Sequence, residues 1–97
     1  MLNEIVLSGI IKKVKIIDES ILAVIKCNES LFYIYWERNE YDTSQLVGKF
    51  VCLRGYLQHI QYKLEENITT TKILAICVEE MEEVSLWHLR VLLIQAF

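Results

Sequence analysis

The sequence has no proline and only three glycines. Flexible linkers and low-complexity segments are usually rich in these residues, so their scarcity argues against disorder inside the chain. There are three cysteines, and no two of them form a Cys-x-x-Cys pair. An odd number at wide spacing argues against a disulfide framework and a zinc ribbon. We therefore predict small buried cysteine side chains in a reducing cytoplasm.

The sequence also lacks a long apolar run. The longest apolar stretch, VSLWHLRVLLIQAF, has 14 residues and contains His88 and Arg90. A membrane-spanning helix needs about 20 apolar residues. The opening MLNEIVL is followed by polar and basic residues rather than by a long apolar core. We therefore expect neither a signal peptide nor a membrane partner.

Catalytic and metal-binding motifs are missing as well. Nothing in the sequence resembles a nucleophile elbow, a phosphate-binding glycine loop or a pair of metal ligands at close spacing. His59 and His88 are far apart and have no obvious ligand partners. The sequence therefore predicts a protein that is not an enzyme and that has no cofactor and no metal.

Acidic residues outnumber basic ones, and the net charge is −3. The segment EEMEE at 79–83 supplies four of the acidic residues, and residues 1–78 hold nine of each sign. A neutral body does not by itself indicate a nucleic-acid partner. Acidic residues suit the start of a helix, so 79–83 is interpreted as the solvated start of an apolar helix over 82–96.

Runs of β-branched and aromatic residues separated by short polar turns predict strands. The turns are DES at 18–20 and NES at 28–30. In the first strand, Gly9 indicates a close backbone approach, and the disturbed alternation at Lys12–Lys13 indicates a bulge. A short helix ending at Gly48 is expected after the third strand. The five strands are predicted at 4–17, 20–27, 31–37, 49–62 and 68–78.

This order predicts an all-β fold, a five-stranded oligonucleotide/oligosaccharide-binding (OB) barrel, with a short helix between strands 3 and 4 and an apolar C-terminal helix. The domain is assigned to residues 1–82, and 83–97 is assigned to packing or oligomerisation. A hydrophobic content of 54% favours an oligomer, expected to be a homodimer or a homotetramer.

Strand alternation divides the side chains between the barrel interior and the surface. In the fourth strand it sends Val51, Leu53 and Leu57 inward and Arg54, Tyr56 and Tyr62 outward. In the third strand, hydrophobicity alone places Phe32 and Ile34 inside and Tyr33 and Tyr35 outside.

Four segments, in this order and spacing, resemble the bacterial and phage single-stranded DNA-binding proteins: MLNEIVLSG, LFYIYW, LVGKFVCLRGYLQHIQY and TTKILAICVEEME. The resemblance covers residues 1–82. It implies non-sequence-specific binding of single-stranded DNA in replication, repair or DNA transfer. It also implies base stacking by Trp36 and Tyr62, which puts Trp36 on the binding face and so reverses the assignment from hydrophobicity.

The chain departs from this family at several positions. Ile10 replaces a polar residue that follows the first-strand glycine, and Ser30 replaces a stacking aromatic residue. An apolar segment stands where the family has an acidic tail tip. These departures keep open an alternative function, an OB-fold protein-interaction module of primosome or mobile-element type with weak or no nucleic-acid binding.

Binding to single strands needs cations along the phosphates and aromatic rings for the bases. The partners expected are single-stranded DNA or RNA and replication or primosome proteins. Each candidate also has a structural interpretation: Trp36 as a core or interface residue, Tyr56 and Tyr62 as subunit contacts, and the first-strand lysines Lys12, Lys13 and Lys15 as solvated charges on an edge strand. The candidate nucleic-acid-binding residues are Trp36, Tyr62, Tyr56, Arg54, Phe32, Lys72, Lys49, Lys12 and Lys13.

Overall fold

The computed structural model describes residues 3–37, 45–63 and 70–84. In this part of the chain the strands are β1 (Glu4–Ile17), β2 (Ser20–Cys27), β3 (Ser30–Glu37), β4 (Phe50–Lys63) and β5 (Thr70–Glu83). They close into a barrel in the order β1-β2-β3-β5-β4. The predicted all-β, five-stranded barrel is therefore confirmed.

The two turns predicted between the first three strands are confirmed. Asp18 and Asn28 take positive φ angles of 54° and 56°. Asp and Asn tolerate this left-handed conformation better than most residues, because their short polar side chains bond locally. The tight turns place β1 against β2 and β2 against β3 in antiparallel register.

The first strand bends where the sequence predicted it. Gly9 is buried, and a Cβ atom at this position would overlap the carbonyl oxygen of Lys26. Lys12 is the extra residue of a bulge, because the pairing with β2 steps from Ile11 directly to Lys13. β1 pairs with β4 as far as Ile10 and with β2 from Ile10 onward, so the two pairings meet next to the bulge. The bend thus lets one strand close the barrel.

The barrel interior is filled by branched aliphatic side chains and one tryptophan. Trp36 is only 2% exposed and belongs to the central cluster. On each strand the residues of this cluster occupy alternate positions, as expected when every second side chain of a strand points to the same face. The buried members are Ile11, Ile21, Ala23, Ile25, Ile34, Trp36, Leu46, Val51, Leu53, Ile76 and Val78.

Part of β4 and β5 extends beyond the barrel. The pairing of β1 with β4 ends at Tyr56, whereas β4 and β5 stay paired as far as Lys63 and Thr70. We call this extension, residues 57–63 and 70–75, the arm. Leu57, which was predicted to fill the interior, is 36% exposed because it lies at the base of the arm.

The acidic segment 79–83 is the end of β5, not the start of a helix. Met81 packs against the core while the flanking Glu80 and Glu82 are exposed, and Val51 of β4 pairs with Glu83. The prediction that a helix starts at residue 82 is therefore wrong, and the rest of that helix and of segment 83–97, from residue 85 onward, lies outside the described residues.

The short helix predicted before the fourth strand falls mostly outside the described residues, in 38–44. At the position where this helix was expected to end, the structure has a turn, in which Gly48 has a φ of 87°. Within the three described ranges, no helix is both long and apolar enough to cross a membrane.

The cysteines are free thiols in the described structure. Cys77 is buried, and Cys27 and Cys52 are half-buried. Burial raises the pKa of the Cys27 and Cys77 thiols, so both stay protonated at neutral pH. The prediction of buried cysteine side chains is confirmed fully for Cys77 only.

Candidate nucleic-acid interface

The outer surface of β1, β2 and β3 carries lysine and aromatic side chains in register. Directly opposite residues of antiparallel strands share a face, so the pairings define rows across this surface. We call these rows the platform. They are Ile10–Lys26–Leu31, Lys13–Val24–Tyr33 and Lys15–Leu22–Tyr35.

The aromatic rings of the platform come from alternate positions of β3. Tyr33 is 46% exposed and lies beside Val24 of β2. Tyr35 is half-buried, and its hydroxyl shares a hydrogen bond of 2.7 Å with the Ser20 hydroxyl, which fixes the ring. Tyr33 therefore offers an open face for stacking, and Tyr35 a fixed one.

A groove crosses the upper end of the platform at the β1 bulge. It has a volume of about 430 Å³. Because the bulge inserts Lys12, two adjacent lysines reach the same groove. Its floor is apolar and aromatic, and its rim is cationic. The lining residues are Lys12, Lys13, Val24, Leu31, Phe32 and Tyr33.

The lysines of the platform and of its groove are not neutralised by neighbouring acids. Lys12, Lys13, Lys15 and Lys26 are all exposed. None of them forms an ion pair with a residue in 3–37, 45–63 or 70–84. Their charges are therefore available to an anionic ligand, which is the requirement for phosphate contacts.

The face formed by β1, β4 and β5 has the opposite character. Arg54 lies 2.8 Å from Glu80 and 3.9 Å from Glu4, and Lys49 lies 3.5 Å from Glu83. The hydrogen bond to Glu80 and the charge of Glu80 raise the pKa of the Arg54 guanidinium, with weaker contributions from Glu4 and Glu79. The cations on this face are thus already compensated.

This pairing bears on two predicted phosphate contacts. Arg54 points outward from the barrel, as strand alternation indicated, and the side chain of Lys49, which lies just before β4, is also exposed. Their immediate neighbours are carboxylates, which repel phosphate. We therefore leave Arg54 and Lys49 out of the proposed interface, and contact of these two residues with phosphate stays a prediction.

The prediction that Trp36 lies on the binding face is wrong. Its partner across β2 is Ile21, which is fully buried, and both side chains point into the barrel. A base cannot stack on a ring that is 2% exposed. The assignment from hydrophobicity was correct for β3, except that Phe32, near the start of the strand, is 38% exposed and lines the groove.

The other candidates lie away from the groove. Tyr56 is 40% exposed and stands between Glu4 and Cys77, so it lies at the border between the platform and the acidic face. Lys72 is exposed on the arm, opposite Gln61. Tyr62 also belongs to the arm, but its side chain lies outside the described residues.

The structure thus brings together Lys12, Lys13 and Phe32 from the predicted set. It adds Tyr33, Tyr35, Lys26 and Leu31, which were not candidates, and Lys15, one of the first-strand lysines considered with them. The alternation of β3 already carried the signal for the two tyrosines. No local sequence feature marked Lys26 as a binding residue, because its position beside Leu31 depends on the register of β2 with β3.

A second cleft separates the lower platform from the arm. It has a volume of about 170 Å³. Leu22 is only 6% exposed although it lies on the outer side of β2, because Tyr35 and the arm residue Ile60 adjoin it there. The lining residues are Ile17, Asp18, Ser20, Leu22, Tyr35, Ile60 and Gln61.

The overall structure is similar to solved structures of known proteins. The Stn1–Ten1 complex of S. pombe matches with a TM-score of 0.62 and 14% identity, over 98% of this chain and 68% of that chain. The mitochondrial single-stranded DNA-binding protein Rim1 of S. cerevisiae matches with a TM-score of 0.58 and 10% identity, over 84% of this chain and 94% of that one. The fold is an OB barrel.

At these identities the similarity establishes the OB fold alone. No protein-family model matches the sequence, and no curated protein matches it significantly. Membership of the bacterial and phage single-stranded DNA-binding family therefore stays a prediction. In an OB barrel the outer face of strands 2 and 3, flanked by the 1–2 and 4–5 connections, is the usual oligonucleotide surface. The platform and the arm occupy these places.

Proposed function

We propose that the protein binds single-stranded nucleic acid on the platform, without catalysis. The observation that carries the proposal is the alternation of uncompensated lysines with exposed aromatic residues on β1, β2 and β3. The same fold in Rim1, a single-stranded DNA-binding protein, supports it. The lysines suit a partner with phosphates, and the exposed aromatic residues suit a partner with accessible bases.

Each group of side chains has a distinct role in this proposal. Lys12, Lys13, Lys15 and Lys26 contact phosphates, and Tyr33 stacks against a base. Stacking contributes about 1–3 kcal/mol per base and tolerates any sequence. Phe32 and Leu31 form the apolar floor on which a second base rests. The bases of a duplex are already stacked on each other, so the platform selects single strands.

The biological setting is part of the proposal as well. Binding of this kind serves to protect or organise exposed strands in replication, repair or DNA transfer. We propose a cytoplasmic protein that acts as a homo-oligomer. Exposed apolar side chains outside the platform, such as Val6 at 69% exposure, support a subunit or partner contact.

Titration of a fluorescently labelled oligo-dT tests the proposal. Each phosphate neutralised on a single strand contributes about −0.7 to the slope of log affinity against log salt. Three or four lysine contacts therefore predict a slope of about −2 to −3, and a loss of affinity of roughly 20- to 50-fold between 50 and 200 mM salt. A duplex of equal length is the control and should bind more weakly. Absence of oligo-dT binding at 50 mM salt would contradict the proposal.

A protein-interaction module is the second candidate, and the acidic face favours it. Glu4 and Glu80 pair with Arg54, and Glu82 and the exposed Val6 lie on the same surface, which suits a partner with basic and apolar side chains. The same oligo-dT titration separates the two functions, because a protein-interaction module predicts no salt-dependent binding of nucleic acid.

A further inference from the structure

The cleft between the platform and the arm differs chemically from the groove. The groove at the bulge offers lysine ammonium groups and apolar surface. The cleft offers a carboxylate, two hydroxyls and an amide between apolar walls. A site with convergent hydrogen-bonding groups and apolar walls is suited to recognising the edge of a planar base rather than a phosphate.

The dimensions and walls of the cleft suit one base. Its volume of about 170 Å³ holds a single base and not a stacked pair. Ile17 and Leu22 form the wall on the platform side, and Ile60 forms the wall on the arm. A base that enters from the strand on the platform would be held between these side chains with its polar edge towards Asp18 and Tyr35.

The hydrogen-bonding groups favour one base over the others. The Ser20 and Tyr35 hydroxyls lie 2.7 Å apart, so one of their two hydrogens is used between them and the other is free to donate. The Asp18 carboxylate only accepts hydrogen bonds. The cleft therefore presents a strong double acceptor next to a donor.

Guanine has the matching pattern on its Watson–Crick edge. Its N1–H and N2–H groups are adjacent donors, which a carboxylate accepts in bidentate, charge-assisted hydrogen bonds. Its O6 atom, beside them, accepts from a hydroxyl. Thymine and uracil present one N–H between two carbonyl oxygens, and a carboxylate repels both oxygens. Adenine and cytosine present one amino donor beside a ring acceptor.

We propose that this cleft binds one guanine base of the strand, so that the protein prefers single strands that contain guanine. The inference rests on the proposed function. Binding to the platform brings strands of any sequence, and the cleft then adds affinity for a guanine that reaches it. A good bidentate contact discriminates between bases by roughly 5- to 150-fold. We expect about tenfold tighter binding when one guanine is present.

The test compares a 12-nucleotide oligo-dT with the same strand carrying one central dG. The wild-type protein should bind the dG strand about tenfold more tightly. The Asp18→Asn variant should bind both strands equally, because a neutral amide does not accept both guanine donors. Asn tolerates the positive φ at this position, so the turn is preserved. Glu19→Gln is the matched control, since Glu19 is the adjacent turn carboxylate and is not part of the cleft; it should keep the preference.

The outcomes separate this inference from the proposed function. Equal affinity of the wild-type protein for the two strands, or a preference that survives in Asp18→Asn, overturns the guanine site while binding to the platform stands. If neither strand binds the wild-type protein at 50 mM salt, the proposed function fails and the guanine site fails with it.

Discussion

Replacing Lys13 and Lys15 with glutamate is expected to weaken oligo-dT binding by at least about 50-fold at 50 mM salt. Both side chains are exposed and belong to adjacent rows of the platform, so their reversal turns two attractive phosphate contacts into repulsive ones. The slope of log affinity against log salt should also become shallower by about 1.4, which corresponds to two phosphates. Fluorescence anisotropy across a salt series measures both quantities.

The matched control reverses two cations on the acidic face. Lys49→Glu/Arg54→Glu changes the net charge of the protein by the same amount, but these residues already face Glu83, Glu80 and Glu4. We expect its affinity for oligo-dT to stay within about threefold of wild type, a change that long-range repulsion accounts for. If the control loses as much binding as Lys13→Glu/Lys15→Glu, the platform is not the site. Thermal unfolding of both variants confirms that each remains folded.

Replacing Trp36 is expected to destabilise the barrel without removing a nucleic-acid contact. Trp36 fills the core against Ile21 and Ile34, so Trp36→Ala removes a large buried ring and should cost about 3–5 kcal/mol of unfolding free energy. A domain of this size has only about 5–15 kcal/mol in total. Urea unfolding should therefore show a much lower midpoint, or an unfolded variant.

Trp36→Leu separates the structural role from a stacking role. Leucine keeps an apolar side chain in the core, so the variant should fold, at a cost of roughly 2–4 kcal/mol. Leucine has no flat ring, so a stacking role at this position would be lost completely. We expect oligo-dT affinity within twofold of wild type at a temperature where the variant is folded. A stable Trp36→Leu variant with tenfold weaker binding would show that the resemblance placed this residue correctly.

The strands and their turns were predictable because their signals are local. Alternation of apolar and polar residues, ended by Asp18 and Asn28 in the turns, located β1 and β2 with their correct bounds. The bend of β1 was also predictable, since Gly9 and the doubled lysine interrupt the alternation.

The assignment of β3 shows where two kinds of sequence argument conflicted. Side-chain parity put Ile34 inside, and Trp36 has the same parity, so both face inward against Ala23 and Ile21. The resemblance aligned Trp36 with an aromatic residue at the end of the family's third strand and therefore placed it on the outer face. In this barrel the side chain at that position points inward. A shift of one position exchanges the two faces of a strand, so parity within the strand was the stronger guide.

The electrostatics of the two faces were not predictable from the sequence. Arg54 meets Glu80 and Glu4 only because β4 pairs with β5 on one side and with β1 on the other. The glutamates of 79–83 looked like a helix start, because nothing local shows that Lys49, just before β4, and Arg54 of β4 lie opposite them. Which lysines stay uncompensated is decided by the same long-range pairings.

Mapping of backbone amide shifts by NMR during titration with oligo-dT tests most directly whether the platform is the binding surface. If the platform is the binding surface, the amide signals of Lys13, Val24 and Tyr33 shift together and saturate with the oligonucleotide. The amide signals of Glu80 and Glu82 keep their chemical shifts. Shifts centred on Glu80 and Glu82 with an unchanged platform, or no shifts at saturating oligonucleotide, would contradict the account.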